Sequence, residues 1–422
     1  MPTPPIVHAR WLIAAAAAAA MLLVSGVTPL AATGQQTHYE LHDLIELGLE
    51  INPDLESARY TVDASRASLQ AARLLRNPTF DYTFGNAESW DGTEERRTSG
   101  LTLGLPIENP FKRHHRIGMS EAEWRTAQHT FHSLQLDITY EIETHFYMIR
   151  RLQDLATLAE QNVTSLEEAL RLVQARVELG EARELEAIRL RVESMRARNE
   201  LNATRSRLDL ERRHLNTFLG NRLPSDFTIG EGEAFAPAPL SETSLQERML
   251  LEHPRLALAE AELERARSQL SYARSGLLPD PTLSGFVAEG LDGRDRGLGV
   301  SLEVPLWNMA GREIAESRNT VLMKERALEA IRLNQTIEVS IRLSELRITE
   351  ASLRLFHEGL LEQAEQSLRI SEVSYNQGEI SLLDYLDAQR IYYSVLKDYA
   401  DTLYAWHLNR AALERAIGGD LS

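Results

Sequence analysis

From Leu152 onward, apolar side chains recur every seven residues: Leu152, Ala159, Leu166, Val173. A second row, Ala156, Val163, Leu170 and Val177, runs four positions behind it. Two such rows form one seam on a helix, as in a coiled coil. All 15 prolines avoid Phe111–Leu223 and Leu306–Ser422. Proline costs about 3 kcal/mol in a helix interior, so these spans are predicted to be helix. Elsewhere the period changes to two. "TFDYTFG" and "SGLTLGLPI", then "TLSGFVAEG" and "RGLGVSLEVPL", alternate polar or small residues with apolar ones. One apolar face per strand is the pattern of a transmembrane β-barrel strand; a soluble sheet is the other reading of these strands.

The same pattern is written twice. "NPDLESARY" at Asn52 answers "HPRLALAEA" at His253, and "LLRNPTF" at Leu74 answers "LLPDPTL" at Leu277. "LGLPI" at Leu103 answers "LEVPL" at Leu302, and "VELGE" at Val177 answers "YNQGE" at Tyr375. Each pair lies about 200 residues apart, which points to internal duplication. Each half predicts one opening helix (Asp43–Leu75; Ser244–Gly276), two strands, a long helix (Phe111–Leu179; Gly311–Gln377) and a return helix (Glu184–Leu219; Ser381–Ile417). A long helix of about 70 residues would reach about 100 Å, matching the two shorter helices laid end to end. The expected division is residues 1–34 as a signal peptide and 35–220 as a first repeat, with strands about 79–107 and a tip about 177–183. A linker at 221–240 precedes a second repeat at 241–422, with strands about 282–306 and a tip about 375–381. The fold class is mainly α with a small β part. Four strands cannot close a barrel, since the smallest transmembrane barrels have about eight. Several chains would have to share one.

The N-terminus adds a compartment. Trp11–Val24 is apolar and mostly alanine, and "TPLAATG" supplies small residues for cleavage between Ala31 and Gly34. That is an export signal, too short for a comfortable membrane span. The chain has no cysteine, which removes disulfides, thiolate metal sites and a cysteine nucleophile. A net charge of −17 argues against nucleic acid as a partner. His114 and His115 in "KRHHR" are adjacent, so on a helix they point about 100° apart; a basic turn under the strands fits better than a metal site. No HExxH, GxxxxGK[ST] or GxSxG run occurs, so no catalytic constellation or cofactor site is expected.

Gly180 and Gly378 stand where each long helix must reverse, and glycine tolerates the left-handed backbone of such a turn. Asp384 and Asp387 follow, spaced to share one face of the return helix. Carboxylates near a helix N-terminus gain about 0.3–1 kcal/mol from the helix dipole, which by itself could account for them.

The motifs "ARLLRNPTF", "LPIENPFKRHHR", "VPLWNMAGREIAESR" and "YNQGEISLLDYLDAQR", carried by this duplicated unit, resemble the TolC-like outer-membrane efflux family across about residues 38–420. The middle two look most like its cobalt–zinc–cadmium resistance branch. The resemblance implies a homotrimer in outer-membrane lipid: a twelve-stranded barrel on a periplasmic helical barrel. It also implies a periplasmic adaptor (membrane fusion) protein and an inner-membrane pump of the resistance-nodulation-division class. It makes Val177, Leu179, Gly180, Glu181, Gly378, Glu379 and Ser381 candidates for tip turns and adaptor docking. It makes Asp384 and Asp387 an entrance ring, and Tyr375 with Glu186 gate contacts. Ile380 stands where the family's latch carries an arginine. Phe111 and Trp307 follow the second strands and would anchor at the membrane interface. The cargo expected is divalent heavy-metal cations, with drugs or a secreted polypeptide as alternatives. A soluble periplasmic coiled-coil scaffold, or an exported helical enzyme such as a lyase, are readings from other classes. The first leaves the paired strands unexplained and the second lacks a site.

Overall fold

The computed structural model describes residues 38–421, apart from 90–91, 238, 277–278, 291–292 and 303–309. The signal segment and Trp307 lie outside the described residues. A short strand β1 (His38–Tyr39) leads into α1 (Leu41–Ile51) and α2 (Pro53–Arg73). Strands β2 (Thr79–Glu88) and β3 (Glu95–Pro106) form a hairpin, followed by α3 (Pro110–Glu178) and α4 (Glu184–Phe218). Strand β4 (Thr228–Ile229) pairs in parallel with β1. The order then recurs: α5 (Glu242–Glu252), α6 (Pro254–Ser275), β5 (Pro281–Gly290), β6 (Gly293–Leu302), α7 (Gly311–Leu355), α8 (Leu361–Gln377) and α9 (Leu382–Ile417).

Two expectations are corrected. The single opening helix of each half is a pair of helices, broken before Pro53 and Pro254. Proline drives the preceding residue out of the helical region, and Asn52 and His253 are extended, with ψ of 124° and 121°. Each then caps the next helix: Asn52 Oδ1 accepts from the Asp54 and Leu55 amides, and His253 Nδ1 from the Arg255 amide. Second, the long helix of the second half is not continuous. Between α7 and α8 lies a π-helical segment, Phe356–Leu360, in which Gly359 has φ 132°. Its counterpart α3 runs 69 residues unbroken, about 100 Å. Asn109 starts α3 by accepting from the Phe111 amide, with Pro110 at the first helical position.

Strands β2, β3, β5 and β6 form one antiparallel sheet in that order. Its register gathers the apolar side chains on one face: Phe80 lies opposite Leu103, Tyr82 opposite Leu101, Leu105 opposite Leu283 and Leu283 opposite Val300. All of these are exposed, Phe84 on the same face by 83%. The other face carries Thr79, Asp81, Thr83, Thr102, Ser284 and Ser301, with Phe286 lying against Gly297. A sheet that leaves its apolar face bare is dressed for lipid rather than water. No helix among the described residues is long and apolar enough to cross a membrane.

An ionic knot ties the sheet to the helices. The Asp280 carboxylate accepts from the Asn109 amide at 3.0 Å and from Lys112 Nζ at 3.1 Å, with Arg76 3.3 Å away. Arg116 grips Glu108 with two hydrogen bonds, of 2.9 and 2.6 Å. Although burial pushes the other way, these donors hold Asp280 below the usual carboxylate range.

Three apolar cores then follow along the helices. One joins α1, α2, α3 and α4 around Leu44, Ile142, Phe146, Leu215 and Leu219. One joins α5, α6, α7 and α9 around Met249, Leu343, Leu353, Trp406 and Leu413. The third closes the far end, where Val173, Leu190, Tyr375, Leu382, Tyr385 and Leu386 bring both helical hairpins together.

The buried cap His253 makes the fold acid-sensitive. Burial and the neighbouring Arg255 lower its pKa from 6.5 to about 4. The stability it contributes is complete above pH 6.5, declines as pH falls and is gone below about 4. The effect is on the order of 2 kcal/mol. In His253→Asn, asparagine keeps the cap as Asn52 does and cannot protonate. The melting temperature of this variant should fall less than the wild type's between pH 6.5 and 4.5. Parallel curves would show that His253 is not the sensor.

Candidate functional site

Both long helices end in the same device. The Gly180 amide donates to the Val177 carbonyl and the Glu181 amide to Arg176. The Gly378 amide donates to Tyr375 and the Glu379 amide to Ser374. These are paired C-terminal caps of the Schellman type, and both glycines have φ 80°. Leu179 remains 74% exposed beside them. The two tips, Val177–Ala182 and Tyr375–Ser381, therefore present glycine turns that face solvent at 178–181 and 376–379.

The return helix α9 starts on a capping box. The Asp384 amide donates to Ser381 Oγ at 3.3 Å, and the Asp384 carboxylate accepts from the Ser381 amide at 3.0 Å and its hydroxyl at 2.6 Å. The Ser381 hydroxyl and then its amide hold the Asp384 carboxyl below its ordinary pKa, so it stays ionised. Its first role is thus local. Its position is still informative, because Tyr385, Leu386 and Gln389 are buried while Leu383, Asp384, Asp387 and Arg390 are exposed. Gln389 Nε2 reaches across to Asn162 Oδ1 at 3.2 Å and Ser165 Oγ at 3.4 Å on α3. That bond fixes the rotation of α9 and sends both aspartates to the uncovered face. Asp387 has Arg390 3.7 Å away, both well exposed.

Tyr375 is buried, stacked on Tyr385 with ring centres 5.5 Å apart. Burial, and then the charge of Glu186, raise its pKa, so the structure brings Tyr375 and Glu186 into one neighbourhood. It adds a residue that the sequence reading missed. The Arg176 guanidinium lies 5.9 Å from the Tyr375 ring centre, and its Nη2 donates to the Asn376 carbonyl at 3.5 Å. A cation is therefore supplied to the second tip by the first, and Ile380 instead packs into the apolar cluster between them. The available signal was Arg176 itself, in the last turn before Gly180. Phe111 is 68% exposed, in the first turn of α3. Among the described residues no group of three or more His, Asp or Glu is arranged to hold a metal. The described residues of the tips therefore offer no chelating set.

A bare-faced β-sheet set on long helical hairpins with glycine-turned tips defines a membrane-anchored channel component. The chain belongs to the outer membrane efflux protein family, which matches residues 44–221 and 245–419. It is similar to the cobalt-zinc-cadmium resistance protein CzcC of Cupriavidus metallidurans, with 24% identity over 93% of this chain and 92% of that protein. It is also similar to the solvent efflux pump outer membrane protein SrpC of Pseudomonas putida, with 24% identity over 90% of this chain and 85% of that protein. The solved outer-membrane channel OprN superposes with a TM-score of 0.79 at 19% identity, covering 90% of each chain. The fold is thus that of TolC-like channels, and the outer membrane is its location.

Gly378 tests the tip directly. An L side chain in its left-handed conformation costs about 1–2 kcal/mol, which multiplies local opening about 5–30-fold. Gly378→Val should be cleaved correspondingly faster by protease between Tyr375 and Leu382, as read by mass spectrometry. An unchanged cleavage rate would mean that the turn does not depend on glycine.

Proposed function

We propose that this chain is the outer-membrane duct of a three-part efflux assembly, working as a homotrimer with a periplasmic adaptor and an inner-membrane pump. Three copies of the four-stranded sheet would give twelve strands, whose apolar face meets lipid and whose Thr- and Ser-rich face lines the passage. The helices would cross the periplasm and present the glycine tips to the adaptor. Phe111 would sit at the membrane interface. The chain supplies no energy of its own; the pump would drive transport and choose the cargo.

For the cargo we propose divalent heavy-metal cations. The observation that carries this is the 24% identity to CzcC along 93% of the chain. The exposed Asp384 and Asp387 support it, since three chains would place six carboxylates around one entrance and favour cations. An organic cargo is the second reading, favoured by equal identity to SrpC over 90% of the chain.

Two measurements separate these readings. A deletion strain of the native host, loaded with sub-lethal zinc, cobalt, cadmium, nickel or copper, should retain more of one or two of these ions than its parent. The gene should restore the parental level. Unchanged metal content with raised sensitivity to solvents or dyes would replace the cargo and keep the duct. In planar bilayers, Asp384→Asn with Asp387→Asn should move the reversal potential toward zero in a salt gradient. An unmoved potential would remove the entrance ring from the mechanism.

A further inference from the structure

The junction between sheet and helices has a charge opposite to that of the rest of the chain. The protein carries −17 overall, yet cations crowd the place where the apolar face of the sheet ends. Three of them, Arg76, Lys112 and Arg116, are spent on the carboxylates of Glu108 and Asp280. Arg73, Arg274 and Arg312, at the ends of α2 and α6 and the start of α7, are exposed and form no ion pair among the described residues. Arg113 has only a carbonyl for company: its Nη2 donates to Arg73 O at 2.6 Å, while its Nε is buried without a hydrogen-bond partner. Among the described residues the carboxylate of Glu313 stands beside Arg312.

The surroundings identify what such a band faces. Ile107 continues the alternation of Leu101, Leu103 and Leu105, and its amide extends the ladder to the Pro281 carbonyl. The apolar face therefore runs to the last residue of the sheet. Leu74, Leu75 and Phe111 carry exposed apolar surface on into the helices, at 67%, 75% and 68%. A strip of apolar surface bordered by guanidinium groups matches the acyl chain and headgroup of a phospholipid in both order and charge. Guanidinium forks suit phosphate in particular.

Resting on the membrane reading above, we propose that Arg73, Arg113, Arg274 and Arg312 form a collar that binds anionic phospholipid headgroups of the periplasmic leaflet. The collar fixes the depth of the sheet in the bilayer. It also holds the ionic knot at Asp280 against the membrane surface.

The test uses purified full-length protein in uncharged detergent, melted with added phosphatidylglycerol, phosphatidylcholine or inorganic phosphate. Phosphatidylglycerol should raise the melting temperature by several degrees more than phosphatidylcholine, and high salt should erase the difference. A variant with Arg73→Gln, Arg274→Gln and Arg312→Gln, which breaks no ion pair among the described residues, should lose at least half of that difference. The same three positions changed to lysine, which keeps the charge and loses the fork, should recover part of it. Equal stabilisation by both lipids, or an undiminished difference in the glutamine variant, overturns the collar. A full shift from inorganic phosphate alone overturns the headgroup assignment. Flotation with phosphatidylcholine vesicles keeps the premise separate. Protein that floats yet melts alike in both lipids loses only this inference, whereas protein that floats with neither composition loses the membrane reading itself.

Discussion

Backbone hydrogen bonding in a medium without water governs this molecule. Strands β2 and β6 are the edges of a four-stranded sheet, and each presents an outer row of amides and carbonyls with no strand paired to it among the described residues. Beside an apolar face such as Phe80, Tyr82 and Phe84 create, those groups cannot be left to lipid, where each would cost several kcal/mol. The sheet is therefore incomplete by construction. In the trimer proposed above, neighbouring copies would supply the missing partners. Below the sheet, three separate cores join the helices along their length.

The joint between the two environments is electrostatic rather than apolar. Residues of both repeats meet at Asp280, which takes a hydrogen bond from the Asn109 amide and another from Lys112. One carboxylate thus fixes the exit of one strand pair relative to the entry of the other. Duplication supplied two similar halves, but this bond treats them differently. Arg76 and Asn77 of the first copy stand where the second has Pro279 and Asp280, so the first copy has no counterpart of this carboxylate.

Much of this was legible before any coordinates. Alternation in "SGLTLGLPI" showed which side chains share a face, because strand periodicity leaves few options. Gly180 and Gly378 stood out because proline-free helical runs bracket them. The breaks at Pro53 and Pro254 were not anticipated, although both prolines are plain in the sequence. Proline at the first position of a helix costs nothing, so two helices can abut there within one apolar pattern. The π-helical segment was illegible for a different reason: Gly359 sits among strong helix formers, and only packing decides whether such a glycine stays helical. At the tip, Asp384 and Asp387 were found as a pair on one face. The capping of Asp384 by Ser381 emerged only with the side chains in place. Arg176 escaped because a cation was sought at position 380, on the same loop, while the fold delivers one from the opposite hairpin.

Gly359 gives the two halves unequal mechanics. The first hairpin descends on an uninterrupted strut, so a push at Gly180 is carried along its entire length. The second has a joint, and below it α8 is a lever of only 17 residues, about 25 Å long. Bending concentrates at Phe356–Leu360, where a helical hydrogen-bond ladder is already disrupted. One arm of the chain is thus a post and the other a crank, and the end that carries Asp384 and Asp387 belongs to the crank.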